Sequence, residues 1–278
     1  MLCFGGNDSA LNLNTLPDGG SYGVRTVDSG MRFEDLTGSG SIMCGLNRDG
    51  GLFCWGGNTT AALGRGFTST EERAPDRPDG GSAWTFVAPG STHTCGLDQQ
   101  RRAWCWGQQT PTTSQSAVAV DGGRTFALLT AGAQHTCGIE ASTSRAMCWG
   151  SNSSSQLGVP PVTASLTTPA YVDGGRTFVG LSAGGGFTCG VTDGGSAYCW
   201  GVNNTGQLGL GTSTAANYSY PQFVSTARKF TAITSGNAFT CALDDALRVW
   251  CWGTNINGAL GRPPGMPNAA VIPVEVIR

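Results

Sequence analysis

The sequence predicts an all-β repeat array in which a cysteine pair staples a hairpin in each unit. Three observations lead there: one motif recurs, its period is near 50 residues, and no segment sustains a helical period. The motif is a Cys-Trp-Gly triplet with a second cysteine ten or eleven positions before it. It reads "SIMCGLNRDGGLFCWGGN" from Ser41 to Asn58, "HTCGLDQQRRAWCWG" from His93 to Gly107 and "QHTCGIEASTSRAMCWGSN" from Gln134 to Asn152. It returns as "GFTCGVTDGGSAYCWGVN" from Gly186 to Asn203 and "AFTCALDDALRVWCWGTN" from Ala238 to Asn255. "LCFGGN", Leu2 to Asn7, reads as the tail of another copy with Phe4 in the tryptophan position. The triplet tryptophans Trp55, Trp106, Trp149, Trp200 and Trp252 follow one another at 51, 43, 51 and 52 residues.

Each unit reads as four strands in order. Short apolar runs ending at glycine come first, as in "RTFALLTAG" (Arg124 to Gly132) and "RTFVGLSAG" (Arg176 to Gly184). Segments such as "HTCGI" or "FTCGV" make the second strand, and after a polar turn "AMCWG" or "AYCWG" makes the third. A loop rich in Gly, Asn and Ser leads to a short fourth strand, such as "PAYV" (Pro169 to Val172) or "PQFV" (Pro221 to Val224). The "DGG" triplets at Asp121, Asp173 and Asp193 read as turns.

The chain has 11 cysteines. In a hairpin turning near Gln100, Cys95 and Cys105 lie opposite on antiparallel strands, where side chains approach closely enough for a disulfide. The same arithmetic pairs Cys44 with Cys54, Cys137 with Cys148, Cys189 with Cys199 and Cys241 with Cys251. Closing so short a loop stabilises by about 3 kcal/mol in the chain-entropy model. Cys3 is left without a partner in the chain, in the second-cysteine position of its copy. The run "IPVEVIR", Ile272 to Arg278, reads as the opening strand of a further unit. Residues 1–278 are therefore expected to be one repeat domain cut from a longer chain, with partial units at both ends.

The spaced pattern G-x-x-H/F-T-C-G-[LIV], then C-W-G-x-N, then G-Q-L-G resembles the regulator-of-chromosome-condensation repeat. The fullest copy is "YCWGVNNTGQLGLGT", Tyr198 to Thr212. The resemblance implies a β-propeller of six or seven four-stranded blades. The paired cysteines resemble one branch of it, the extracellular CRINKLY-type repeats of plant receptor kinases and related secreted repeats of bacteria. One unit departs from the pattern: "WGQQTPTTSQ" replaces Trp-Gly-x-Asn and lacks Gln-Leu-Gly.

Composition excludes several functions. Charged residues make up 12%, the net charge is -2 and no basic run exists, which argues against a phosphate-backbone partner. No apolar run is long enough to span a membrane. A metal site at His93, Cys95 and Cys105 fails on comparison, because the slot of His93 and His135 holds Phe187, Phe239 or Ile42 elsewhere. No Cys-x2-Cys pair of zinc-ribbon type occurs. A catalytic cysteine should be unique and paired with a base, whereas these are duplicated. The expectation is therefore no metal, no cofactor and no enzymatic activity. The triplet tryptophans read as rings packing between blades, and Trp84, Trp104 and Trp250 as core or surface.

Asn-x-Ser/Thr sequons stand at Asn7, Asn58, Asn152, Asn203 and Asn217, and some glycosylation is expected in a eukaryotic source. Disulfides at this density belong to oxidising compartments, so a secreted protein or an ectodomain is expected. Its function would be binding a protein or glycan partner. The variable segments Phe67 to Gly81, Gln108 to Val120, Val159 to Thr168 and Thr212 to Tyr220 are the contact candidates. Alternatives are a secreted protein inhibitor of an enzyme, since similar propellers include one, and an extracellular lectin or hydrolase.

Overall fold

The structure, a computed structural model, describes residues 31–79, 83–109, 111–120, 122–160, 164–261 and 268–276, and the backbone of 2–5 and 22–26. Strands β1 (Leu2–Gly5) and β2 (Tyr22–Thr26) form an antiparallel pair. Five four-stranded antiparallel meanders follow. The first holds β3 (Asp35–Ser39), β4 (Ile42–Leu46), β5 (Leu52–Asn58) and β6 (Ser69–Asp76). The second holds β7 (Trp84–Pro89), β8 (His93–Asp98), β9 (Ala103–Gln109) and β10 (Thr112–Ala119). The third holds β11 (Phe126–Ala131), β12 (His135–Glu140), β13 (Ala146–Ser151) and β14 (Ser165–Tyr171). The fourth holds β15 (Gly180–Ala183), β16 (Phe187–Val191), β17 (Ala197–Asn203) and β18 (Thr214–Phe223). The fifth holds β19 (Phe230–Ser235), β20 (Phe239–Asp244), β21 (Val249–Thr254) and β22 (Ala269–Glu275).

The fold is a β-propeller and each sheet is a blade. Two compact units divide the chain, residues 1–129 and 130–278, with the division inside β11. The run expected to open a further unit does something else. Glu275 pairs with Trp250 and Val274 with Cys251, so the run completes the fifth blade as its outer strand.

Every blade is closed by its cysteines. Each pair sits directly opposite on the second and third strands, as in Cys95↔Cys105 and Cys189↔Cys199, with sulfurs at bonding distance. Cα atoms are 4.1 Å apart in all five pairs, the close spacing of a non-hydrogen-bonded pair. Cys105 and Cys241 are half-buried and the other eight are buried. The backbone of Cys3 pairs with Arg25 in the two-stranded sheet, and the expectation for its sulfur lies outside the described residues.

The triplet glycine is required by backbone geometry. Gly201 has φ +108°, and a methyl there would meet the Gly186 carbonyl and the Phe187 Cα at 2.6 Å. The triplet tryptophans are all buried. Within each unit they join neighbouring blades. In the first unit, Ala62 O accepts from Thr94 Oγ1 at 2.8 Å and Trp106 Nε1 at 2.9 Å of the next blade. In the second, Gln156 O accepts from Thr188 Oγ1 and Trp200 Nε1, both at 2.9 Å, and Gln207 O accepts from Thr240 Oγ1 at 3.1 Å. The innermost strands of the second unit are tied as well, Thr130 Oγ1 accepting from Ala183 N and Ser182 Oγ from Ser235 N.

Candidate recognition surface

Three of the four variable segments turn out to be largely outer strands, and Val159 to Thr168 enters one at Ser165. Residues 69–76, 112–119, 165–171 and 214–223 are β6, β10, β14 and β18, each longer than the four-residue strands read from the sequence. Their extra length is taken up by a bulge. Against β17, Gln222 pairs with Cys199 but Tyr218 with Gly201, so β18 spends four residues where its partner spends two. β6, β14 and β22 do the same, at Asp76 to Glu72, Ala170 to Leu166 and Val274 to Ala270. A proline precedes the residue paired with the second cysteine in each: Pro75, Pro169, Pro221 and Pro273. Proline lacks the N–H that a ladder demands and suits a bulge. The residue just before it is exposed each time, as Ala74, Thr168, Tyr220 and Ile272. The recurrence of Pro at this offset is visible in the sequence.

The sequon asparagines divide sharply. Asn58 and Asn203 are 0% exposed and Asn152 is 6% exposed. Their Oδ1 atoms accept from Leu63 N, Leu208 N and Leu157 N at 3.2, 3.1 and 3.2 Å, folding the third-to-fourth strand loop back on itself. Asn255, which is no sequon, does the same with Leu260 N at 3.0 Å. The amide nitrogen of Asn58 donates to Phe67 O at 3.1 Å and that of Asn203 to Thr212 O at 2.9 Å. A glycan on the nitrogens of Asn58 and Asn203 would break these bonds in the folded loops, and Asn152 is buried as well. Asn217 is exposed on β18, and Asn7 lies outside the described residues.

The second blade departs where its sequence departs. Gln109 takes the asparagine position and β10 starts at Thr112, paired back to Gln109, so the long loop is absent. Buried His93 has its Nε2 3.4 Å from Gln109 Nε2. In the third blade His135 Nε2 lies 2.9 Å from Thr188 Oγ1. That hydroxyl already donates to Gln156 O, so the proton between them belongs to His135. The histidine slot is thus packing plus a blade-to-blade hydrogen bond. Among the described residues no three His, Cys, Asp or Glu side chains group as metal ligands.

Charge separates by strand end in the second unit. Each blade has a hairpin end, with the second-to-third strand turn and the link to the next blade, and an opposite loop end. Glu140, Arg145, Asp193, Asp244, Asp245 and Arg248 stand at hairpin turns. Asp173, Arg176, Arg228 and Lys229 stand in the links, and Glu275 closes the same end of β22. Among the described residues of this unit, the loop end carries no Asp, Glu, Lys or Arg.

The charges at the hairpin end hold one another. Asp244 Oδ1 accepts from Ala246 N at 2.9 Å and Arg248 N at 2.8 Å, and Oδ2 from Arg248 Nε and Trp250 Nε1 at 2.9 Å. Burial pushes this carboxyl up, and the bonds from Arg248, Trp250 and Ala246 outweigh it, holding it at about 2. Asp98 repeats the arrangement with Arg102 and Trp104. Burial again pushes it up, and the Trp104 and Arg102 bonds bring it below its ordinary value. The same position three after the first cysteine holds Asn47, whose Oδ1 accepts from Gly51 N at 2.7 Å. Guanidinium groups cover the aromatic rings nearby, Arg145 over Tyr171 at 4.1 Å, Arg176 over Tyr198 at 4.4 Å and Arg228 over Trp250 at 3.6 Å. An open depression of about 610 Å³ is lined by Arg228, Lys229, Asp244 and Asp245, where Arg228 Nη1 comes to 4.0 Å of Asp244 Oδ2.

Stacked four-stranded blades, a Trp-Thr latch onto the preceding loop and an asparagine-folded Gly-x-Leu-Gly loop together resemble a propeller of regulator-of-chromosome-condensation repeats. Models of the regulator of chromosome condensation (RCC1) repeat match residues 178–207 and 194–243. The chain is 26% identical over 83% of its length to the RCC1 domain-containing protein RUG3, mitochondrial, of Arabidopsis thaliana, covering 56% of that protein. It thus spans about half the length of this curated relative. Human WBSCR16 superposes with a TM-score of 0.78 at 18% identity over 89% of this chain and 67% of that one, a likeness of fold. The entire ectodomain of the Physcomitrella patens receptor kinase CR4 superposes with a TM-score of 0.52 at 26% identity, over 80% of this chain and 50% of that one.

Proposed function

We propose that this chain is a non-enzymatic interaction module of an oxidising, extracellular compartment, secreted or carried as an ectodomain, that binds another macromolecule through its propeller surface. The observation that carries the reading is the cysteine pair facing itself across the second and third strands of all five blades. Such a set persists only where thiols are not kept reduced. The similarity to the CR4 ectodomain supports the same compartment. A mitochondrial name among the relatives makes redox state the deciding measurement. Peptide mapping without reduction, on protein isolated from its own source with thiols blocked at lysis, is expected to return five within-blade pairs. Blocked, unpaired thiols at these ten positions would overturn the extracellular reading.

A further inference from the structure

In an Asp-Gly dipeptide the carboxyl can react with the next main-chain nitrogen, because glycine has no side chain to block the approach. The dipeptide stands with both residues described at Asp49-Gly50, Asp173-Gly174 and Asp193-Gly194, each followed by a second glycine. All three aspartates are exposed, yet the fold treats them differently. Gly174 N donates to Asp173 Oδ1 at 2.7 Å and Gly194 N to Asp193 Oδ1 at 2.8 Å. Each nitrogen thus already lies against the carboxyl it would attack. Neither gives its hydrogen to a main-chain carbonyl among the described residues. Gly50 N instead donates to Asn47 O at 3.1 Å, and Gly50 O accepts from Trp84 N at 2.8 Å, which fixes that turn. Asp76 has the contact without the glycine, its Oδ1 accepting from Arg77 N at 2.8 Å. From this division we propose that Asp173 and Asp193 are modification sites at which the folded chain isomerises to isoaspartate, while Asp49 and Asp76 are spared. The glycine nitrogen bonds to Cγ, and the amide hydrogen and the carboxyl hydroxyl leave as water, closing a succinimide. Water then adds at the aspartate's main-chain carbonyl carbon and breaks its bond to that nitrogen, so the chain runs on through Cβ and Cγ. Water lost is water regained, and the main chain is one carbon longer. At Asp193 the extra carbon falls in the turn that Gly195 N closes onto Thr192 O, and at Asp173 in the link between the third and fourth blades.

The test is peptide mapping of the full oxidised chain after several weeks at neutral pH and physiological temperature. Isoaspartate is located by fragmentation and by labelling with a protein isoaspartyl methyltransferase. Conversion at Asp173 and Asp193 is expected to run at least about tenfold ahead of Asp49 and Asp76. Gly194→Ala, in an open turn, should suppress conversion at Asp193 and leave Asp173 unchanged, with circular dichroism confirming the fold. In denaturant with the disulfides reduced, Asp49 should catch up with Asp193 while Asp76 stays slow. Asp49 keeping pace with Asp193 in the folded chain would overturn the proposal, as would conversion at only one of the two sites or at neither. An Asp49 that stays slow after unfolding would overturn it too, because the fold would then not be what separates identical dipeptides.

Discussion

Gly201 follows the triplet tryptophan at φ +108°, a conformation that side chains rarely adopt, and it lies against the backbone of β16. Gly201→Ala should therefore cost roughly 1–3 kcal/mol in denaturant unfolding. Gly194→Ala, in an open turn whose nearest atom is 4.0 Å away, should stay within about 0.5 kcal/mol. Asp244 makes a second prediction, on acid. Its folded carboxyl is held at about 2, below the ordinary 3.8. A depressed carboxyl stabilises fully above its unfolded value and loses that stabilisation as pH falls through the folded one. Thermal midpoints should thus drop between about pH 4 and 2, and Asp244→Asn should flatten that part of the profile. These residue roles were partly legible. Glycine after Cys-Trp is plain in the repeat, but Asp98, Asp244 and Asn47 become one position only when counted from the first cysteine.

At the scale of the element, the hairpin was legible because its geometry is local. Two cysteines ten apart with a polar turn midway leave little choice of register. Replacing Cys189 and Cys199 together by alanine should lower stability by about 3 kcal/mol, read from the urea midpoint, and leave the β content intact. The four strands per blade were legible too. The outer strand was misjudged in length, because a bulge breaks the alternation by which strands are recognised. "IPVEVIR" was misassigned for the related reason that a first strand and a fourth strand are both short apolar runs. Only pairing with β21 distinguishes them.

For the whole molecule, the latch between blades explains why Thr and Trp recur. Thr188 sits at a crossing, donating to Gln156 O while lying 2.9 Å from buried His135 Nε2. Thr240 donates to Gln207 O, and the slot matching His135 in the preceding blade holds Phe187. Thr188→Val should take the hydroxyl from His135 Nε2 and leave Gln156 O with Trp200 Nε1 alone, costing about 1–3 kcal/mol, more than Thr240→Val, in thermal unfolding. Hydrogen exchange at β16 should rise with it.

Strand order, cysteine pairing and the place of the tryptophans were determined by the sequence alone, because each depends on spacings of a dozen residues or fewer within the repeated unit, whereas the same spacings leave the blade count at six or seven. The tertiary structure decided which of the described sequons are buried, that the C-terminal run completes the fifth blade, and that the charges among the described residues of the second unit stand at its hairpin end. Those depend on what a side chain meets after blades stack and loops fold back. An asparagine reads identically in sequence whether its amide faces water, as at Asn217, or closes a loop, as at Asn203.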